Sequence, residues 1–423
     1  MRSFKRLALF NFSYKIFGAF IGLATVALLT KNLTKDDFGF YSFVVSASLL
    51  LAAFGQAGTP MFLAREISRS RDKILTIKVL RLSALFIALL LVAFIGLIGL
   101  LVSVLSEVDV LDVIIVTMLA IAVVPNNING AVYRGLGFPT LSLTAEAILG
   151  QLIFLFLLLL FVFKYEINIF LSILSYVAAS FLSYFLSSVG LKIWMNRAFS
   201  KLKNERTNSI LLRRAFVRMR TVVPGSAPFL LITSYPVINS NIEIFFIAGL
   251  GSFEDVASFK VTTSITSILS FGLIAVAQLS IPAFANYNKS TKLKNEAVRQ
   301  FKQSASLTFF IALSATALFA VFGNYMVSLA FGSNYEAVYK AVLIMSIGHL
   351  VSCYIGPAGL MLNMTNNEAI VLRLSIMSLL LNALLMSILV PQFGVYGAAA
   401  SSSITLSLWN VLLRVRIKRR LGF

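Results

Sequence analysis

The feature that most constrains this chain is a succession of long apolar runs that follow one another almost from end to end. A helix needs about 20 largely apolar residues to cross the hydrocarbon core of a bilayer. About twelve stretches meet that requirement: 7–30, 40–63, 80–105, 111–133, 141–163, 167–191, 221–249, 258–283, 304–330, 337–361, 367–390 and 395–414. Only 12% of the residues are charged and 59% are hydrophobic. Soluble domains carry about a quarter charged residues, so a soluble globular fold is excluded. The first run is too long for the apolar core of a signal peptide, lacks a cleavage site and is followed by further spans. It reads as a retained first helix. The expectation is an all-α integral membrane protein.

The formal charge of +20 does not point to nucleic acid, because the basic residues sit in short patches between apolar runs. Lys and Arg concentrate in cytoplasmic loops of membrane proteins. With the N-terminus inside, the outer loops 31–39, 106–112, 164–167, 251–257, 331–336 and 391–394 hold nine acids and three bases. The inner segments then hold most of the 36 basic residues, including Ala64–Lys73, Asn288–Lys302 and the tail Arg414–Arg420. Both termini are expected in the cytoplasm, with membrane lipids as contacts for the basic patches.

A repeat adds a second constraint. Gln-x-x-x-Pro-x-Phe ends an apolar run twice, as Gln56/Pro60/Phe62 and as Gln278/Pro282/Phe284. The segments ahead of the two copies also echo each other at a shift of 218, with Asp36–Val45 against Glu254–Thr263. Two matches in the same order read as a duplicated unit. In membrane proteins, duplicated halves are typical of transporters, with the substrate path at their interface. The longest inner segment, Lys192–Arg220, carries nine bases and one acid, Glu205. It separates six spans from six, so the expected division is an N-terminal lobe 1–200, a basic linker 201–220 and a C-terminal lobe 221–423. Within the linker, Ile210–Arg220 interleaves apolar and basic residues and is expected to form a surface helix.

Three stretches carry a family resemblance. They are Leu28–Arg69, Asn241–Ile265 and Ser270–Tyr287, the last containing AVAQLSIPAF. The chain resembles the multidrug/oligosaccharidyl-lipid/polysaccharide exporter superfamily, most closely its O-antigen (Wzx-type) flippase branch. The resemblance extends over the chain in length and span count. It implies two pseudo-symmetric six-helix lobes around a central cavity, and alternating access that moves a lipid-linked sugar across the inner membrane.

Polar residues inside spans are costly and usually face a lumen or a partner. Lys15 lies on a stripe with Asn11, Gly18, Gly22 and Thr25, at helical spacing. It either faces the lumen or snorkels to inner headgroups. Lys260 opens a similar stripe with Ser264, Ser267, Phe271 and Gln278, and either attracts an anionic pyrophosphate or snorkels outward. Gln56 and Gln278 lie near the inner ends of matching helices, with prolines that bend or stop the helix. Pro224, Pro228 and Pro236 make the seventh span an interrupted helix, the kind that lines transport sites. Glu243 follows on that span, at a position where the resembling families place an acid. It either binds a coupling cation or proton or pairs with a lumen lysine, and Glu146 is a second acid of this kind. Arg65, Arg134 and Arg373 lie near inner span ends, as headgroup anchors or cavity cations. His349 is a lone histidine in the tenth span.

No P-loop, HExxH or Cys/His cluster occurs in the sequence, so no metal, cofactor or ATP hydrolysis is expected. Not an enzyme but a flippase for an undecaprenyl-pyrophosphate-linked oligosaccharide is the expectation, in O-antigen or other surface polysaccharide synthesis. Its cavity residues would be Lys15, Lys260, Asn11, Gln56, Gln278, Arg65, Arg134 and Arg373. Its partners would be that lipid-linked oligosaccharide, membrane lipids and other polysaccharide-assembly membrane proteins. The alternatives are a cation-coupled multidrug antiporter of the same superfamily and, less well supported by the short outer loops, a membrane polysaccharide polymerase or ligase.

Overall fold

The computed structural model describes residues 2–69, 74–105, 109–162, 167–198, 208–285, 287, 290–365 and 367–422. For residues 2–13, 15, 104–105, 208–213, 216, 228, 231–232, 270–272, 274–279, 281–282 and 285 only the backbone is described. Sixteen α-helices run through the described residues, joined by short turns, and no strand occurs among them. Eight helices among these residues are long and apolar enough to cross a membrane, and Ile16–Asn32 adds a shorter apolar stretch. The protein is a multi-pass membrane protein. Its exposed surface shows why: Leu90, Phe94, Leu101, Phe156, Phe185, Phe310 and Val321 are all more than half exposed. Water would penalise such a surface, whereas hydrocarbon does not.

The expected spans map onto helices, with two breaks that the apolar pattern hides. The run 40–63 is not one helix. α2 (Lys35–Gly55) stops, Ala57 and Gly58 adopt φ values of 47° and 75°, and α3 (Thr59–Arg69) begins. Pro60 therefore opens a helix, where its missing N–H costs nothing, rather than bending one. The run 337–361 breaks likewise, after α13 (Glu336–Ile355), and resumes as α14 (Ala358–Met364). The seventh span is interrupted as its prolines predict. α9 (Asn208–Ser226) is followed by a 3₁₀ turn at Ala227–Phe229 and then by α10 (Leu230–Leu250).

Contacts gather the chain into two compact units. The first comprises residues 1–40 and 242–423. In it α1 (Arg2–Asn32) packs on α11 (Phe253–Ala285) and α12 (Thr291–Phe331). α13 and α15 (Glu368–Phe393) pack on α16 (Val395–Leu421). Phe284, Phe301, Met361, Leu413 and Ile417 form part of its core, and the Tyr287 hydroxyl donates to the Leu421 carbonyl at 2.8 Å.

The second unit comprises residues 41–241. α4 (Ile74–Leu105) packs on α5 (Val110–Leu136), and α5 packs on α3 and on α8 (Ile169–Ala198). Between α5 and α8 the chain forms α6 (Pro139–Leu143), a π-turn at Thr144–Ile148 and α7 (Leu149–Val162). Leu63, Ile67, Leu80, Val124, Ile128, Leu191 and Val222 lie in its core. These units differ from the division expected at residues 201–220 in two respects: α1 packs with the second half of the chain, and the second unit runs on to residue 241, because α9 packs on α3 and α4. Residues 199–207 lie outside the described residues. The expected surface helix is α9, and it is more than a surface element. It packs on α3 and α4, buries Ala215 and Val222 completely, and accepts a 2.9 Å bond from the Ser83 hydroxyl at the Ala215 carbonyl.

Candidate functional site

In the first unit, an acid sits among three helices. Glu243 of α10 accepts two hydrogen bonds at Oε1, from Asn382 Nδ2 of α15 at 2.9 Å and from Ser402 Oγ of α16 at 2.6 Å. Ser401 Oγ in turn donates to Asn382 Oδ1 at 2.7 Å. The sequence permits this approach because α16 opens with Gly397, Ala398, Ala399 and Ala400 before three serines. A Cβ built on Gly397 would lie 2.2 Å from the Leu389 carbonyl oxygen. Small residues let membrane helices pack closely and place hydroxyls across the contact. No described lysine lies within ion-pair distance of Glu243, so among the described residues its partners are an amide and a hydroxyl. Sequence reasoning found Glu243 and missed Asn382, Ser401 and Ser402. The small-residue run on an otherwise apolar helix was the available signal.

Lys260 lies on α11, half-buried, and makes no ion pair among the described residues. The hydroxyls of its stripe are turned back on the helix: Ser264 donates to the Lys260 carbonyl and Ser267 to the Ser264 carbonyl, each at 2.8 Å. The side chains of Asn11, Lys15 and Gln278 lie outside the described residues. Arg373 is exposed on α15, and His349 is half-buried on α13.

In the second unit, two residues considered separately in the sequence meet. Arg134 of α5 pairs with Glu146, and Ser142 completes the group by accepting from Arg134 at 3.2 Å and donating to Glu146 at 3.1 Å. Glu146 is carried by the π-turn, an irregularity that frequently occurs at functional sites. Its carboxylate lies over Gly130, where a Cβ would come within 2.1 Å of Oε1. Arg65 is held between rings, 5.4 Å from the Phe62 centroid and 4.9 Å from that of Phe229, with Glu66 Oε1 3.3 Å from its Nε. Gln56 is buried at the break between α2 and α3, and its Nε2 has no hydrogen-bond partner among the described residues.

Arg81 was missed by sequence reasoning. On α4 it donates from Nη2 to Ser188 Oγ at 2.8 Å and to the Tyr184 hydroxyl at 3.4 Å. Asn129 donates to Ser187 and Ser188 at 2.8 and 2.9 Å, so α4, α5 and α8 share one polar network. A lone arginine in an apolar run was the signal, but its partners, Tyr184 and Ser188, lie more than 100 residues away along the sequence.

The arrangement defines a class: a multi-pass helical protein with charged and amide side chains held inside its helix packing. Comparison with solved structures places its fold. The chain superposes on an inward-facing multidrug resistance MATE family transporter of the MOP superfamily with a TM-score of 0.71 and 18% identity, over 96% of this chain and 94% of that one. It superposes on the lipid II flippase MurJ, in an inward closed conformation, with a TM-score of 0.73 and 13% identity, over 96% and 87%. A MOP superfamily transporter from Pyrococcus furiosus gives 0.62 and 17%, over 99% and 95%. The fold is thus that of the MOP superfamily. No curated protein matches the sequence. The profile of the polysaccharide biosynthesis protein family matches residues 5–288, two thirds of the chain, and the protein belongs to that family.

Proposed function

We propose that this protein is a flippase that carries an undecaprenyl-pyrophosphate-linked oligosaccharide across the bacterial inner membrane by alternating access, and that it is not an enzyme. The observation that carries the reading is the joint one of family and fold: a polysaccharide biosynthesis protein with the fold of MOP superfamily transporters, one of which is a lipid II flippase. Sugar-assembly membrane proteins of other kinds do not need this fold. In this reading both termini are cytoplasmic, and the chain works as the two halves 1–200 and 221–423 joined by the basic linker. Lys15, Lys260, Asn11, Gln56, Gln278, Arg65, Arg134 and Arg373 are the candidate cavity residues. Lys260 is the strongest described candidate for the pyrophosphate, since a half-buried ammonium without an ion-pair partner among the described residues gains most from an anionic ligand.

Glu243 is the candidate for coupling to a cation gradient. Its carboxylate sits beside an amide and a hydroxyl, all with oxygens that can turn toward a hard cation such as Na⁺ or a proton carrier. Glu146, already paired with Arg134, is the weaker coupling candidate. The Glu243 cluster also suits a cation-coupled multidrug antiporter, so the test must separate the two substrates.

Deletion of the gene and leaflet-resolved measurement of lipid-linked oligosaccharide with a membrane-impermeant probe does so. Accumulation on the cytoplasmic face is expected in the deletion strain, relieved by the wild-type gene and not by Lys260→Ala. Normal lipid distribution with altered drug sensitivity would sink the flippase reading and favour the antiporter. Glu243→Gln is expected to keep substrate binding while abolishing the dependence of transport on a Na⁺ or proton gradient.

A further inference from the structure

Arg81 carries a charge that the helices around it leave unmatched among the described residues. Helices α3, α5 and α9 pack on α4, and the Arg81 side chain reaches across to α8. α4, α8 and α9 contain no Asp or Glu. On α3, Glu66 is taken by Arg65 and Arg69. Asp109 and Asp112 lie at the far end of α5, the nearer one 17 positions from Asn129, or about 26 Å along the helix. Glu146 is paired with Arg134. The charges next to Arg81 in the fold are themselves cations: Lys78 stands one turn before it on α4, and Lys192 one turn after Ser188 on α8.

The hydrogen bonds around Arg81 also run short of acceptors. Its Nη2 donates to Ser188 Oγ and to the Tyr184 hydroxyl, and Asn129 Nδ2 donates to Ser188 as well. Both hydroxyls receive, and neither donates a hydrogen bond among the described residues. A half-buried guanidinium and two hydroxyls with protons to give, without a carboxylate among them, match an anion that offers several oxygens.

The depth of the cluster and its surroundings say where that anion comes from. α4 has 32 residues and is about 48 Å long, about 18 Å more than the hydrocarbon core. Centred in the bilayer, it extends about 9 Å beyond the core at each end, and Arg81 stands about 10 Å from its start, where hydrocarbon meets headgroups. Beside Tyr184 and Ser188 on α8, Phe181, Phe185 and Val189 are 47%, 62% and 39% exposed, so this flank faces acyl chains. An anion held at that depth, with hydrocarbon alongside, is one carried on a lipid.

We propose that Arg81, Tyr184 and Ser188 bind the phosphate of an anionic phospholipid, such as phosphatidylglycerol, in the leaflet on the basic side of the second unit. The site is independent of whichever substrate the protein carries. Its donors reach the phosphate oxygens, and its cations match the lipid's net charge. Phosphatidylethanolamine offers the same phosphate but adds an ammonium, which meets Arg81, Lys78 and Lys192 on this side and finds no acid to pair with. The lipid therefore supplies the counter-charge that a partly buried arginine needs and that its own helices lack.

The test uses the full chain in detergent and native mass spectrometry, with phosphatidylglycerol and phosphatidylethanolamine of identical acyl chains added at equal concentration. One phosphatidylglycerol is expected to bind about ten-fold more tightly than phosphatidylethanolamine, a preference of about 1.4 kcal/mol. Arg81→Gln, which keeps an amide donor and removes the charge, brings the preference below about two-fold, and Tyr184→Phe combined with Ser188→Ala brings it to about three-fold. Arg416→Gln, which removes an exposed cation from α16 in the other unit, leaves it at about ten-fold. Thermal unfolding with each lipid separates lost binding from lost folding, since a ligand of the native state raises Tm. Phosphatidylglycerol should raise Tm for wild type and not for Arg81→Gln. A loss of stability in Arg81→Gln that is equal in both lipids marks a purely structural arginine and overturns the proposal. A ten-fold preference that survives Arg81→Gln overturns it as well. Displacement of phosphatidylglycerol by an equal concentration of polyprenyl diphosphate would assign the site to a prenyl-linked phosphate and overturn the phospholipid assignment.

Discussion

The two copies of the internal repeat begin alike and end differently. At the start of α2, the Thr34 hydroxyl donates to the Asp37 carboxylate at 2.6 Å, and the Asp37 N–H donates to Thr34 Oγ1 at 3.1 Å. At the start of α11, 218 residues later, Ser252 and Asp255 make the same two bonds at 3.1 and 3.2 Å. At the other end the copies part. After Gln56 the chain breaks and restarts as α3, while α11 runs unbroken through Gln278 and Pro282 to Ala285. The sequence difference that accompanies this is small: Gly55 and Gly58 in the first copy stand where the second has Ala277 and Ser280. Gly58 takes a φ of 75°, which costs a side-chain-bearing residue about 1–2 kcal/mol. Ser280 instead stays helical and lies 3.0 Å, Oγ to Oγ, from Ser304 of α12. A helix start is set by a cap that four residues can make on their own. A helix end inside the membrane must find other partners for its backbone groups, and in the first copy the chain leaves the helix through Ala57 and Gly58, both with positive φ.

The largest effect is expected where the copies are packed unequally. A Cβ on Gly39 would sit 1.8 Å from the Phe253 carbonyl oxygen, whereas its repeat partner, Ala257, already carries one. Gly39→Val should cost about 3 kcal/mol or more, the upper range for overpacking, and Ala257→Gly about 1 kcal/mol. Unfolding in detergent followed by intrinsic fluorescence measures both, and equal losses would show that the two helix starts are packed alike after all.

Next come the swaps at the divergent end. Gly58→Ser should destabilise by about 2 kcal/mol, since it forces an L side chain into left-handed backbone. It also drives a Cβ to 2.5 Å from the Ser226 carbonyl oxygen. The converse, Ser280→Gly, should cost about 1 kcal/mol through backbone entropy. Limited proteolysis at the α2–α3 junction reads the first change directly, and an unaltered pattern would mean the break does not depend on Gly58. The caps should behave as a matched pair: Thr34→Ala and Ser252→Ala are each expected to cost about 1 kcal/mol. A loss at one cap only would break the symmetry inferred from their geometry. The smallest effect belongs to Lys35→Ala. Its partner Glu254 is 60% exposed at 3.7 Å, so the change should fall within about 0.5 kcal/mol and shrink further in high salt.

Much of this molecule was determined by the sequence alone. Apolar runs of bilayer length can be satisfied only by helices, because hydrocarbon offers no partner for a free N–H or carbonyl. The helical fold, the three-proline interruption of the seventh span and the presence of an acid, Glu243, within an apolar span were all legible from that constraint and from local composition. Tertiary structure decided the rest. It placed α1 against α11 and α12, broke 40–63 at Gly58, and joined Arg134 to Glu146. It gave Glu243 an amide and a hydroxyl for company, and drew Arg81 into a network with Asn129 and Ser188. The physical reason is that each of these contacts depends on which faces of separate helices meet. Within the membrane that choice is made by close packing of small residues and by scattered polar pairs. Neither leaves a periodic trace along a single stretch of sequence.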